Sequence, residues 1–133
     1  MDNISKIKNP QRKKLVITHR VFRLAVLELA SIIKNSNKTY NSLYGIPRGG
    51  QIVAVWLSHQ LNIPIVEKDG INKDTLIIDD ISDSGQTLTD IYKGLMYTKG
   101  LQLDTATLFY RKSVAGFQPN YWSQDAKDWW VVM

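Results

Sequence analysis

The sequence predicts an α/β domain: a mostly parallel central sheet flanked by helices. Three observations carry this. The 133 residues fit a single domain by length. Apolar periodicity switches from strand to helix to strand to helix to strand along the chain. And the run Thr75-Leu76-Ile77-Ile78 is continuously apolar, as a strand covered on both faces must be.

The elements follow in order. Residues 1–14 form a basic N-terminal arm, and 15–133 are read as the folded domain. The arm carries Lys6, Lys8, Arg12, Lys13 and Lys14 against Asp2, within a net charge of +5. A solvated tail, attraction of a polyphosphate ligand and contact with nucleic acid all remain open for it. Leu15–Thr18 is a short strand or packing segment, with Thr18 placed to cap a helix. From His19 to about Asn35, Phe22, Ala25, Val26, Leu29, Ile32 and Ile33 recur at helical spacing. Ser42–Ile46 reads as a strand, and a second helix spans about Gln51 to Leu61. Ile63–Val66 reads as an edge strand because Pro64 has no N–H to donate. Lys68–Asp74 is a polar turn. A third helix runs from about Gln86 to Thr98, stopping at Lys99-Gly100. Asp104–Tyr110 is a further strand, and Arg111–Met133 is loop-rich.

Composition narrows the chemistry. The chain has no cysteine, which excludes disulfides and thiolate sites. His19 and His59 lack a metal-ligand spacing. No apolar run approaches the roughly 18–20 residues that a membrane helix needs. The start of the sequence has no secretory apolar core. A cytoplasmic protein without a membrane partner is the expectation.

Two loops stand out, both at the expected carboxyl edge of the sheet, where ligands bind in such folds. The first is Asp79-Asp80-Ile81-Ser82-Asp83-Ser84-Gly85-Gln86-Thr87. Adjacent carboxylates at a strand end need hydroxyl donors or a hard cation as partners. The helix start that follows offers unpaired N–H groups and a positive dipole end, which suit a phosphate. Ser84 and Thr87 can add hydroxyl donors, and Gly85 allows close backbone approach. One segment thus has the shape of a ribose 5-phosphate site. The second loop is Tyr44-Gly45-Ile46-Pro47-Arg48-Gly49-Gly50. There Arg48 provides a permanent forked donor, and two glycines let the backbone approach an anion.

The acidic segment resembles the signature for 5-phosphoribosyl-1-pyrophosphate (PRPP) of the type I phosphoribosyltransferases. The arginine–glycine loop resembles the pyrophosphate loop of their xanthine-guanine (purine) members. The resemblance covers nearly the whole chain from about Leu15. It implies the type I fold with a small C-terminal hood, and transfer of phosphoribose from PRPP to a base nitrogen, with a 6-oxopurine as acceptor. It implies that Asp79 and Asp80 hold the ribose hydroxyls, directly or through Mg²⁺. Ser82, Asp83, Ser84, Gly85, Gln86 and Thr87 would hold the 5-phosphate, with Asp83 near the base as proton acceptor. Pro47, Arg48, Gly49 and Gly50 would hold pyrophosphate, with a cis peptide at Pro47–Arg48. Lys112, with Arg111 as competitor, would meet the purine 6-oxo group. Trp130 and Val131 would bind the base. A homodimer or higher homo-oligomer is implied as well.

The sequence departs from the family pattern between Ile63–Val66 and the acidic strand. Where a long flexible loop closes over the site in most members, only Glu67–Asp74 is present. Lys68 or Lys73, or a neighbouring subunit, is the expected stand-in. The short turn also admits a non-catalytic PRPP or nucleotide sensor, and the basic arm admits a nucleic-acid-binding regulator on the same fold, although nucleic acid is not the expected partner.

Overall fold

The computed structural model describes residues 14–82, 86–111, 118–126 and 130–132. The basic arm before Lys14, Asp83–Gly85 and Lys112 lie outside the described residues. Strand β1 spans Lys14–Val16, helix α1 His19–Asn35, strand β2 Ser42–Gly45 and helix α2 Gly49–Leu61. Then come a 3₁₀ turn at Lys68–Gly70, strand β3 Thr75–Ser82, helix α3 Gln86–Lys99, and strands β4 Thr105–Tyr110, β5 Tyr121–Asp125 and β6 Trp130–Val132.

Local chemistry sets the ends of α1. Thr18 Oγ1 accepts from the Val21 N–H at 3.2 Å, satisfying one orphan donor of the first turn. At the other end the Ser36 hydroxyl donates to the Ile33 carbonyl at 2.6 Å, and Asn37 follows at φ 63. Helix α2 closes on Asn62 at φ 55, whose N–H returns to the Ser58 carbonyl. Asparagine tolerates this left-handed conformation better than most residues.

Four strands form one sheet in the order β2-β3-β4-β5, parallel throughout. Helices α1 and α2 cover one face, where Val26, Leu29, Val53 and Leu57 pack with Leu43, Leu76, Ile78 and Leu108. Helix α3 covers the other, where Leu88 and Leu95 meet Tyr44, Ile46, Ile77 and Leu103. Burial on both faces explains the unbroken apolar run at the start of β3. Leu43, Leu76 and Ile78 are fully buried, each contributing about 1.5–3 kcal/mol of hydrophobic stabilisation.

The fold departs from the sequence expectation in three places. Strand β3 does not stop at Ile78. It runs on through Asp79 and Asp80 to Ser82, with Asp79 in register with Thr107 and Ser82 with Tyr110. Its central position, with β4 continuing alongside, carries the ladder past the two acids. Ile63–Val66 is reduced to a single bridge between Leu43 and Ile65. Pro64 accepts there from the Leu43 N–H but has no donor to extend the pairing. And the stretch read as loop-rich contains β5, parallel to β4, and β6, parallel to β1 in a separate two-stranded sheet. Among the described residues no helix is long and apolar enough to cross a membrane.

Candidate active site

Parallel pairing brings the carboxyl ends of β2 and β3 side by side, with the Ile46 N–H donating to the Ile78 carbonyl at 2.8 Å. Beyond β2 the chain turns through a cis Pro47–Arg48 peptide, as expected, into the start of α2. The turn lies directly on β3. A Cβ on Gly50 would run into the Ile78 carbonyl oxygen and meet Asp79 Cα at 3.0 Å. Only glycine permits that approach.

A cleft of about 380 Å³ opens at this edge. The loop after β2 contributes Pro47, Arg48 and Gly49 to its wall, and the end of β3 contributes Asp79, Asp80 and Ser82. The third wall is the first turn of α3, with Gln86 and Thr87. The structure thus gathers in one cavity residues separated by about forty positions in the chain. Ile46, Ile81 and Leu88 complete the lining. Sequence reasoning did not single these out, since each has the spacing of an ordinary core residue.

The two aspartates differ. Asp79 is 8% exposed, and its Oδ1 accepts from the Asp80 N–H at 2.9 Å. Asp80 is half-buried, with Oδ1 accepting from the Ile81 N–H at 2.8 Å. Burial above all, then the adjoining Asp80 carboxyl, pushes Asp79 up to about 7. Near neutral pH Asp79 is therefore only partly ionised, and a cation or hydroxyl donors would offset the cost of its charge. The donor set is hard oxygen. Among the described residues no group of three or more His, Asp or Glu gathers as a metal cage. Two carboxylates fit Mg²⁺, which keeps most of its ligands as water and substrate oxygens.

Gln86 and Thr87 open α3, so the unpaired N–H groups of its first turn lie at the cleft. The Gln86 side-chain amide donates to Asp90 Oδ1 at 2.8 Å, along the helix. Arg48 is exposed at the rim. Arg111, at the end of β4, is 2% exposed, and its N–H donates to the Ser82 carbonyl at 2.9 Å. Arg111 thus lies beside the end of β3, buried, and is not among the residues that line the cleft. Lys112, Asp83, Ser84 and Gly85 lie outside the described residues. Trp130 and Val131 sit in β6, in register with Lys14 and Leu15 of β1.

The two lysines expected to stand in for the missing loop do not reach this edge. Val66 donates to the Leu43 carbonyl at 2.9 Å, and the chain then turns back toward Thr75 at the amino end of β3. Lys99, in the last turn of α3, holds the turn there. Its Nζ donates to the carbonyls of Lys68, Asp69 and Ile71 at 3.5, 3.3 and 3.2 Å. Lys73 pairs with Asp74 at 3.6 Å. Lys68 and Lys73 are thus at the opposite end of the sheet from the cleft, because a turn of eight residues only spans the gap back to β3.

No protein-family model and no curated protein matches the sequence. Solved structures do. A purine phosphoribosyltransferase from Pyrococcus horikoshii aligns over 90% of this chain and 91% of its own, with TM-score 0.74 and 26% identity. The xanthine-guanine-hypoxanthine phosphoribosyltransferase of Helicobacter pylori aligns over 91% and 90%, with TM-score 0.77 and 22% identity. A hypothetical protein from Neisseria gonorrhoeae with bound ppGpp aligns over 91% and 88%, with TM-score 0.78 and 20% identity.

Proposed function

We propose that this chain, which has the fold of the type I phosphoribosyltransferases and purine enzymes among its structural neighbours, transfers phosphoribose from PRPP to a nitrogen of a 6-oxopurine. The carrying observation is the convergence of Arg48–Gly49, Asp79–Asp80 and the start of α3 on one cleft. Those are the three chemistries PRPP demands: a seat for a diphosphate, acceptors for two ribose hydroxyls, and donors for a phosphate.

In this reading the bond from the anomeric carbon to the pyrophosphate oxygen breaks, and a bond from that carbon to the base nitrogen forms. The nitrogen's proton passes to Asp83, and pyrophosphate leaves toward Arg48 and the N–H groups of Gly49 and Gly50. Asp79 and Asp80 orient the ribose and would hold Mg²⁺, which when bound neutralises negative charge building on the departing diphosphate. Ser82, Ser84, Gly85, Gln86 and Thr87 grip the 5-phosphate, fixing the sugar while its other end reacts. Arg111 or Lys112 faces the purine 6-oxo group, and Trp130 and Val131 contribute to the base pocket. Ile52 and Val55, 57% and 47% exposed on α2, support a homo-oligomer.

The test is pyrophosphate release from PRPP and Mg²⁺ in the presence of xanthine, guanine, hypoxanthine, adenine, uracil, orotate or nicotinate. Release that depends on a 6-oxopurine is expected. Release with only a pyrimidine or nicotinate would remove the purine assignment.

A second reading is a sensor that binds without turnover. The position of the Glu67–Asp74 turn, tied to Lys99 away from the cleft, favours it. So does the Neisseria neighbour with bound ppGpp, since a guanine nucleotide bearing diphosphates presents the same groups as the reaction. Binding of PRPP or ppGpp by calorimetry, with no pyrophosphate release from any base, would select this reading.

A further inference from the structure

The loop carrying Arg48 meets the end of β3 at two neighbouring glycines, and the two contacts differ. A Cβ on Gly50 would strike strand backbone. A Cβ on Gly49 would instead overlap the Asp80 carboxylate, striking Oδ2, with Cγ at 2.5 Å and Asp80 Cβ at 3.1 Å. All three nearest atoms at Gly49 belong to that one side chain. The Asp80 carboxylate is therefore held from two sides. Oδ1 accepts from the Ile81 N–H at 2.8 Å, and Oδ2 lies over the bare Cα of Gly49.

We propose that Gly49 is a positioning residue for Asp80: the space left by its missing side chain sets where the carboxylate lies, and so makes the diphosphate loop and the acidic pair a single seat. A ligand whose diphosphate settles on the loop then finds the sugar's hydroxyl acceptor already in place. A methyl group at position 49 would rotate the carboxylate out of that place while the strand beneath stays where it is, because a side-chain end yields and a backbone does not. The inference rests on Asp80 being a PRPP ligand, as proposed above.

A double-mutant cycle separates this role from its alternatives. Gly49→Ala, Asp80→Ala and the double variant are titrated with PRPP and Mg²⁺ by calorimetry. Urea unfolding of each reports folding. Gly49→Ala is expected to keep the parent's unfolding midpoint and to bind PRPP about tenfold more weakly. In the Asp80→Ala background the same change should cost less than about twofold. Equal losses in both backgrounds would mean that the added methyl group acts on the loop or the ligand directly and not through Asp80, and would overturn the proposal. If Gly49→Ala does not fold, a folded double variant supports the clash with Asp80, and an unfolded one overturns it. Asp80→Ala binding PRPP like the parent is a different failure: it removes Asp80 from the site, and with it the premise.

Discussion

The two ends of the same sheet solve the burial of polar groups in opposite ways. At the amino end most groups answer one another, Thr105 Oγ1 being a buried exception. Tyr40 donates to Asp104 Oδ2 at 2.5 Å, and Lys38 Nζ reaches the same oxygen at 3.1 Å. With its only proton given to Asp104, Tyr40 accepts from the Tyr121 hydroxyl at 2.6 Å. Ser42 donates to Asn41 and accepts from Thr75, both at 2.8 Å, and Thr75 accepts from the Asn72 N–H at 2.9 Å. The Tyr40 proton is held tightly, by burial and then by Asp104. At the carboxyl end two neighbouring carboxylates stand over a cleft, each taking a single backbone N–H. The difference is what the proposed function would require, with the ligand at the carboxyl end. A chain gains nothing in stability from a buried, half-satisfied acid, and under the proposed function a ligand or cation would supply its partner.

The largest expected effect tests that asymmetry through pH. Asp79 titrates near 7 in the folded chain, raised from 3.8. Below 3.8 it is protonated folded or unfolded, and it costs nothing. Between 3.8 and 7 the unfolded chain ionises first, so stability falls as pH rises, and above 7 the cost is complete. Raising its pKa from 3.8 to about 7 corresponds to at most about 4 kcal/mol. Asp79→Asn should therefore flatten the decline between pH 4 and 7 and leave the variant more stable than the parent at pH 8, read by urea unfolding across that range. Parallel curves for the two proteins would show that Asp79 ionises freely and would break the contrast. Mg²⁺ with PRPP should recover part of the parent's loss at pH 8, because bound ligand stabilises by mass action.

A smaller effect belongs to the amino end. Tyr40→Phe removes one donor to Asp104 and one acceptor for Tyr121, both in a buried setting. It should cost about 1–2 kcal/mol in urea unfolding and leave PRPP affinity unchanged. A variant that binds PRPP poorly yet unfolds like the parent would show that the two ends are not independent.

The smallest effect sharpens the position of the short turn. Lys99→Met removes the ammonium from three carbonyls at an exposed site and should cost no more than about 1 kcal/mol. Pyrophosphate release should not change, since the turn it holds lies away from the cleft. A change of more than about threefold would mean that Glu67–Asp74 acts on the site after all.

Much of this was legible in the residues. Helical spacing outlined α1, Thr18 announced its cap, and the breaker-rich pair Pro47–Gly50 and Asp79–Thr87 marked the edge where the cleft lies. What escaped has physical causes. Strand β5 begins at an aromatic pair, Tyr121-Trp122, and continues through Ser123, Gln124 and Asp125, polar residues that carry no strand pattern alone. They pair because β4 offers them a free edge. The extension of β3 past Ile78 was hidden because aspartates usually end strands, and here β4 continues the ladder alongside them.

The sequence by itself determined the alternation of elements, the apolar faces that stack them, and the residue types available at each strand end, because periodicity and side-chain chemistry are local properties. Only the tertiary structure decided which of those residues meet. That Asp79 is buried while Asp80 faces Gly49, that Arg111 lies against Ser82, and that the short turn is tied to Lys99 at the far end are outcomes of pairing between segments distant in the chain. Burial, proton affinity and contact depend on what lies across the sheet, and no single segment carries that information.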